Sequence, residues 1–178
     1  MRFPLVSRLL VTGPLVAFLG LIAMGQSPKQ SAQIEKLGFY VGTWSATGKM
    51  RSAPNDSFMR LSGGETCSWV INRHAVECRE IVKSKAGSSS GVYLLTWDTA
   101  SSRYSAYGVD DAGTVLNAAG QLSRQGEWVW TVAQRQSTER SAWLYTFRPS
   151  GARARTFMGA IQTGKKWTPM IDVIYTRK

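Results

Sequence analysis

The stretch Gly38-Phe39-Tyr40-Val41-Gly42-Thr43-Trp44-Ser45-Ala46-Thr47-Gly48 decides the fold. Phe39, Val41 and Thr43 alternate with Tyr40, Trp44 and Ala46, the period of a strand, and glycines punctuate both ends. The pattern predicts a first strand over 39–50. Beyond it the chain breaks into short apolar runs at regular spacing, each bounded by Gly, Asn, Asp, Ser or Pro. Strands are expected over 58–71, 75–83, 92–97, 104–109, 114–122, 127–134, 141–148 and 153–162, with a last one ending at Arg177. Gly63-Gly64 marks a bulge or bend, and 84–90 reads as a Gly/Ser loop. The only helix expected is a turn or two over 31–37, closing one barrel mouth. About ten strands joined by short hairpin loops favour an up-and-down antiparallel order. Closing that sheet into a barrel removes its two free edges. The fold class is therefore all-β, an antiparallel β-barrel.

Residues 1–25 read as a targeting segment. Arg2 and Arg8 give a basic start, 9–23 is apolar and uncharged, and Ala23-Met24-Gly25 places small residues where a signal peptidase cuts. The alternative is a retained anchor, but Gly13-Pro14 interrupts a run already short of the roughly 20 residues of a spanning helix. The expectation is a bacterial export signal cleaved before Gln26, and a periplasmic or secreted protein. Residues 26–178 then form one domain with a sizeable core. Losing Arg2 and Arg8 lowers the net charge of +11 to +9. The basic residues are scattered in loop-flanking pairs, including Lys165 and Lys166 and also Arg153 and Arg155. They read as a solvated positive surface, with no nucleic-acid site and with at most weak contact to an anionic envelope surface.

Cys67 and Cys78 are the only cysteines. If Asn72-Arg73 centres a hairpin turn, position 71 pairs with 74 and Cys67 falls opposite Cys78. Directly opposed residues on antiparallel strands are close enough for a disulfide. The pair lacks Cys-x-x-Cys spacing and a second nearby His, so a structural bridge is expected and a metal site is not.

Tracing one face through the hairpins, on the assumption of even loops, predicts the lumen. Tyr93, Leu95 and Trp97 share it with Tyr104, Ala106 and Gly108. Val115, Asn117, Ala119 and Gln121 follow, then Trp128, Trp130 and Val132, then Trp143, Tyr145 and Phe147. The last strand adds Ile171, Val173, Tyr175 and Arg177. The other face (Val92, Leu94, Val109, Leu116, Val129, Leu144) is also apolar. Either it meets a partner subunit, giving a homodimer, or the two faces are exchanged.

Gly42-Thr43-Trp44, with strands to the end of the chain and a terminal Tyr175-Thr176-Arg177, resembles the calycin superfamily, the lipocalins and their relatives. Tyr93 to Asp98, Arg103-Tyr104, Asp110 to Gly113 and Thr163 to Trp167 are similar to a bacterial secreted calycin family of unknown function. The resemblance implies a ten-stranded barrel like those of nitrobindins and fatty-acid-binding proteins. It also implies a Trp44 plug at one barrel end with Arg177 lying over it. Nitrobindin-type barrels hold haem through a His near the C-terminus. The one His here, His74, belongs to a hairpin tip, so no haem or other cofactor is expected.

Tyr175 and Arg177 share a strand face, as a carboxylate clamp requires. The favoured alternative is that Arg177 stacks on Trp44 as a cation–π plug and binds nothing. The lumen aromatics suit a flat or long apolar ligand, or simply fill a small barrel. Asp110-Asp111 is turn chemistry. Glu65, Glu77 and Glu80 have no evident acid or base mate, and a triad or metal set is not found. Three functions remain open. The first is an exported barrel binding a small apolar or amphipathic molecule, with Tyr93, Trp97, Asn117, Trp128, Trp130, Trp143, Tyr145, Tyr175 and Arg177 as candidate contacts. The second is a calycin-type isomerase or hydratase working through Glu65, Glu80 or Asn117. The third is an envelope-surface interaction protein. With no catalytic motif, the balance is against an enzyme.

Overall fold

Ten antiparallel strands close on themselves in the computed structural model, which describes residues 32–136 and 139–178 and gives only the backbone of 133–136 and 139–141. The strands are β1 (Gly42–Met50), β2 (Met59–Val70), β3 (Ala75–Ser84), β4 (Gly87–Asp98) and β5 (Arg103–Asp110). They continue as β6 (Val115–Leu122), β7 (Trp128–Gln136), β8 (Glu139–Pro149), β9 (Ala154–Thr163) and β10 (Lys166–Arg177). Each pairs with its neighbour in sequence, and β1 pairs with β10 from Trp44↔Arg177 to Met50↔Ile171. This is the up-and-down barrel that the strand spacing predicts. The expected targeting segment lies outside the described residues.

A helical turn, α1 (Ala32–Glu35), runs into a 3-10 turn (Lys36–Phe39) at one end of the barrel. The first strand is therefore shorter than the alternation suggests. Tyr40 and Val41 donate backbone bonds to Leu37 and Gly38, so Phe39 and Tyr40 belong to the turn and β1 starts at Gly42. Gly42 has φ of 135°, and this reverses the chain into the strand. Ile34, Leu37 and Tyr40 are buried and stopper this end.

Three further expectations change. Of residues 84–90 only 85–86 turn: Gly87, Ser88, Ser89 and Ser90 pair with Ser84, Lys83, Val82 and Ile81. Gly63-Gly64 is not a bulge, because the register of β2 with both neighbours is unbroken there. A Cβ at Gly63 would stand 2.1 Å from the Ile81 carbonyl oxygen, so the glycine serves close strand approach. The register shift lies instead on β10 between Pro169 and Ile171, where Pro169 has no N–H for the ladder.

The third concerns the inward face. Residues 110–114 and 123–127 each form a five-residue connection, with Val109↔Val115 and Leu122↔Trp128 as the closing pairs. Odd loops keep even positions opposite even ones. Hence Leu116, Ala118 and Gly120 turn inward on β6, opposite Gly108, Ala106 and Tyr104. Val115, Asn117, Ala119 and Gln121 turn outward, and Asn117 is exposed. Leu116 leaves the outer face to which its parity assigned it. The two misread loops cancel, so from β7 onward the inward face is the expected one: Trp128, Trp130 and Val132 are all buried.

Candidate functional site

The barrel interior has two storeys. At the stoppered end, aromatic rings pack around one buried cation. Arg155 on β9 is fully inaccessible, and its guanidinium lies 4.2 Å from the Trp44 ring centre. Phe39, Tyr40, Phe147 and Tyr175 surround it at 5.0–5.5 Å. Its Nη2 donates to Glu65 Oε1 at 2.5 Å, an ion pair with no solvent access on either side chain. Nε and Nη1 have no hydrogen-bond acceptor among the described residues. Cation–π attraction to several faces offsets part of that loss. Tyr93 Oη completes the group by donating to Glu65 Oε2 at 2.7 Å.

On the outside of the same indole, the Arg177 guanidinium lies 5.0 Å from the Trp44 ring centre and donates to the Val41 carbonyl. Trp44 Nε1 donates to the Tyr40 carbonyl at 2.9 Å. Trp44 is thus held between two arginines, one exposed and one buried. The contact with the Trp44 ring is the one that the plug role of Arg177 requires. Arg177 is exposed and does not line the cavity that Tyr175 lines.

Further aromatics fill the same end. Trp130 Nε1 donates to Tyr40 Oη at 2.8 Å. Trp128 packs 4.6 Å from Tyr104 and is stacked on Trp130 at 6.0 Å. Trp97 packs edge-on to Tyr104 at 4.8 Å. The Cys67–Cys78 disulfide lies inside the wall, both residues buried, with their Cα atoms 4.1 Å apart. The hairpin reasoning is met: Cys67 opposes Cys78, and the turn at 71–74 carries Ile71, Asn72 and Arg73 with positive φ. His74 is in that turn. Among the described residues the one grouping of metal-type ligands is Glu65, Cys67 and Cys78, and both of its sulfurs are spent in the disulfide.

Towards the other end the rings give way to a cavity of about 360 Å³. Its inward-facing wall includes Ala46, Leu61, Leu95, Ala106, Ala118, Trp130, Phe157 and Val173. Polar groups come from Glu80, Tyr93, Tyr145 and Tyr175, with Ser89, Asp110 and Thr114 nearer the hairpins. Small residues on β5 and β6 leave this space, while β7 to β10 fill their half with rings. Phe147 and Phe157 pack at 4.6 Å, and Tyr145 lies 5.6 Å from Phe157. Of the nine candidate contacts, Tyr93, Trp130, Tyr145 and Tyr175 line the cavity. Trp97 and Trp128 belong to the stoppered end, Trp143 packs 5.8 Å from Tyr145 without lining the cavity, and Asn117 lies outside.

Burial raises the hydroxyl pKa values of Tyr93 and Tyr175 well above the ordinary range, and raises that of Tyr145 to about 12. Glu80 is the informative group. Burial first, then the Glu65 and Asp110 carboxylates, raise its pKa from 4.5 to about 7. It faces Glu65 across the β2–β3 ladder.

Sequence reasoning missed Arg155 and the pairing of Glu65. In the sequence Arg155 reads as one of a loop-flanking basic pair. Register places it opposite Tyr175 and Pro149, one strand position inside β9, with its side chain inward. The available signal was parity along β9: Arg155, Phe157, Gly159 and Ile161 share one face.

Neither a protein-family model nor a curated protein sequence matches the chain. Among solved structures the barrel is similar to the S-type phycobiliprotein lyase CPES from Guillardia theta, with a TM-score of 0.55. The match covers 84% of this chain and 94% of that one at 12% sequence identity, a likeness of fold. No helix among the described residues is long and apolar enough to cross a membrane. The disulfide is consistent with an oxidising compartment.

Proposed function

We propose that this chain is an exported barrel of the calycin type that holds a small apolar or amphipathic molecule in its lumen. The observation that carries the reading is the 360 Å³ cavity, walled by apolar and aromatic side chains with a few inward polar groups. Its volume falls at the lower end of the roughly 300–1,000 Å³ typical of ligand sites. The wall composition is that of a site with an apolar body and a small polar anchor. The contacts proposed are Tyr93, Trp130, Tyr145 and Tyr175. Trp44 and Arg177 close the end. The similar barrel of a phycobiliprotein lyase supports the reading in fold only.

Titration with a neutral apolar fluorophore, N-phenyl-1-naphthylamine, tests it, with quenching of Trp130 as a second signal. Saturable one-to-one binding that Ala118→Phe abolishes, in a variant retaining wild-type circular dichroism, is the expected result. Non-saturable uptake, or uptake that the filled-lumen variant leaves unchanged, would overturn the lumen as the site.

A further inference from the structure

The cavity wall carries charge of one sign. The chain has 22 Lys and Arg against 11 Asp and Glu. Yet the described wall contains Glu80 and Asp110 and no Lys, Arg or His. The cation nearest the lumen, Arg155, is already bonded to Glu65 at 2.5 Å. Asp110 Oδ1 is engaged by the backbone N–H groups of Ala112 and Thr114 at 3.0 and 2.7 Å. Glu80 has neither a hydrogen-bond donor nor an ion-pair partner among the described residues.

None of the groups around Glu80 in the described structure is a cation. Glu65 opposes it from β2. From β4, Gly91 brings bare backbone alongside, such that a Cβ there would lie 3.6 Å from Glu80 Oε1. Asp110 from β5 acts on it electrostatically, and Tyr93 from β4, Tyr145 from β8 and Tyr175 from β10 lie close enough to feel its charge. A carboxylate left without a partner in a mostly apolar cavity is costly unless protonated or paired with a cation. Several tyrosine faces stand nearby, and aromatic faces attract cations as well.

We propose that the lumen selects an amphiphile with a cationic, hydrogen-bond-donating head, an alkyl or aryl amine in chemical class, whose head pairs with Glu80 while its apolar body lies against Leu95, Ala118 and Phe157. The inference rests on the lumen-binding reading above and gives it a sign: an anionic head, as in a fatty acid, is disfavoured. An ammonium entering the cavity does what protonation does for Glu80 when the lumen is empty. Amine binding near neutral pH therefore displaces a proton from Glu80.

The test uses three probes of equal length: octylamine, octan-1-ol and octanoate. Each is titrated calorimetrically into the whole protein at about pH 8 and about pH 5.5, on either side of the Glu80 midpoint. At the higher pH the amine should bind roughly tenfold or more tighter than the alcohol, the scale of a charge-assisted hydrogen bond, with octanoate weakest. The amine-to-alcohol ratio should shrink at the lower pH, where Glu80 is protonated. In Glu80→Gln the ratio should fall to about one at both pH values. Octanoate matching the amine, a ratio flat with pH in the wild type, or a ratio that survives in Glu80→Gln would each overturn the inference and leave lumen binding standing. The wild-type pH series decides even if the variant does not fold. Failure of all three probes to bind would overturn the lumen reading itself, and this inference with it.

Discussion

Glu80 is where one residue's chemistry has a measurable consequence for the empty protein. Its carboxyl titrates near pH 7 in the folded chain against an ordinary value of 4.5, so the folded state holds the proton more tightly. The stability this provides is fully present below about pH 4.5 and is lost as pH rises through about 7. The difference between those two values corresponds to about 3 kcal/mol. Glu80→Gln should thus be close to wild type at about pH 4.5 and more stable by up to about 3 kcal/mol at about pH 8.5, by urea unfolding. A difference independent of pH would contradict the assignment. Arg155 gives the opposite case. Arg155→Met strands Glu65 as a lone buried carboxylate and should cost about 3–5 kcal/mol. Adding Glu65→Gln to it should recover a large part of that loss. A double variant no better than the single one would show that the ion pair is not the unit of stability. Neither group is legible as a partner from composition, because pairing across 90 residues depends on which way β9 faces, and only the alternation along β9 carries that information.

At the scale of elements, the β2–β3 hairpin and the β1 entrance make separate predictions. The disulfide spans 11 positions between adjacent strands. Closing so short a loop stabilises by about 3 kcal/mol in the chain-entropy account. Replacing both cysteines by Ser should lower urea stability by about that much while leaving the barrel's circular dichroism intact. A loss below about 1 kcal/mol would show that the register alone fixes the hairpin. At the β1 entrance, Gly42 has φ of 135°, and a Cβ there would meet the Arg177 guanidinium at 2.9 Å. Gly42→Ala should cost about 1–3 kcal/mol and loosen Arg177 from Trp44, shifting the Trp44 emission. An unchanged melting temperature and emission would contradict the role given to this plug.

The elements also show where reading a sequence succeeds and fails. The turn at Asn72-Arg73 fixes the cysteine register because both of its strands pair without a shift. Residues 110–114 and 123–127 mislead because a five-residue connection and a four-residue one look alike in composition, yet differ in parity. Asn117 falls on the wrong face for that reason alone. Phe39 and Tyr40 alternate with their neighbours as strand residues do. Burial of their rings against Trp128 and Arg155 holds them in a 3-10 turn instead.

For the whole molecule, closure is the fact on which the lumen depends. Ten short strands with sequential connections leave two edges, and the β1–β10 pairing removes both. That much is carried by the spacing of apolar runs and turn residues along the chain. What the barrel encloses is a different kind of information. The balance between rings and space depends on small residues, Ala106 and Ala118 on β5 and β6, set in the same wall as the rings of Trp130, Phe157 and Tyr175, and no local pattern records it. If lumen binding is the protein's work, this space is occupied in the living cell. A native mass spectrum of the protein purified from its own cells, beside a denatured one, reads that occupancy directly. The expected result is a single additional mass of a small molecule, present in the native spectrum and lost on denaturation. A native mass equal to that of the bare disulfide-bonded chain, in protein that also fails to take up octylamine or octan-1-ol, would contradict it.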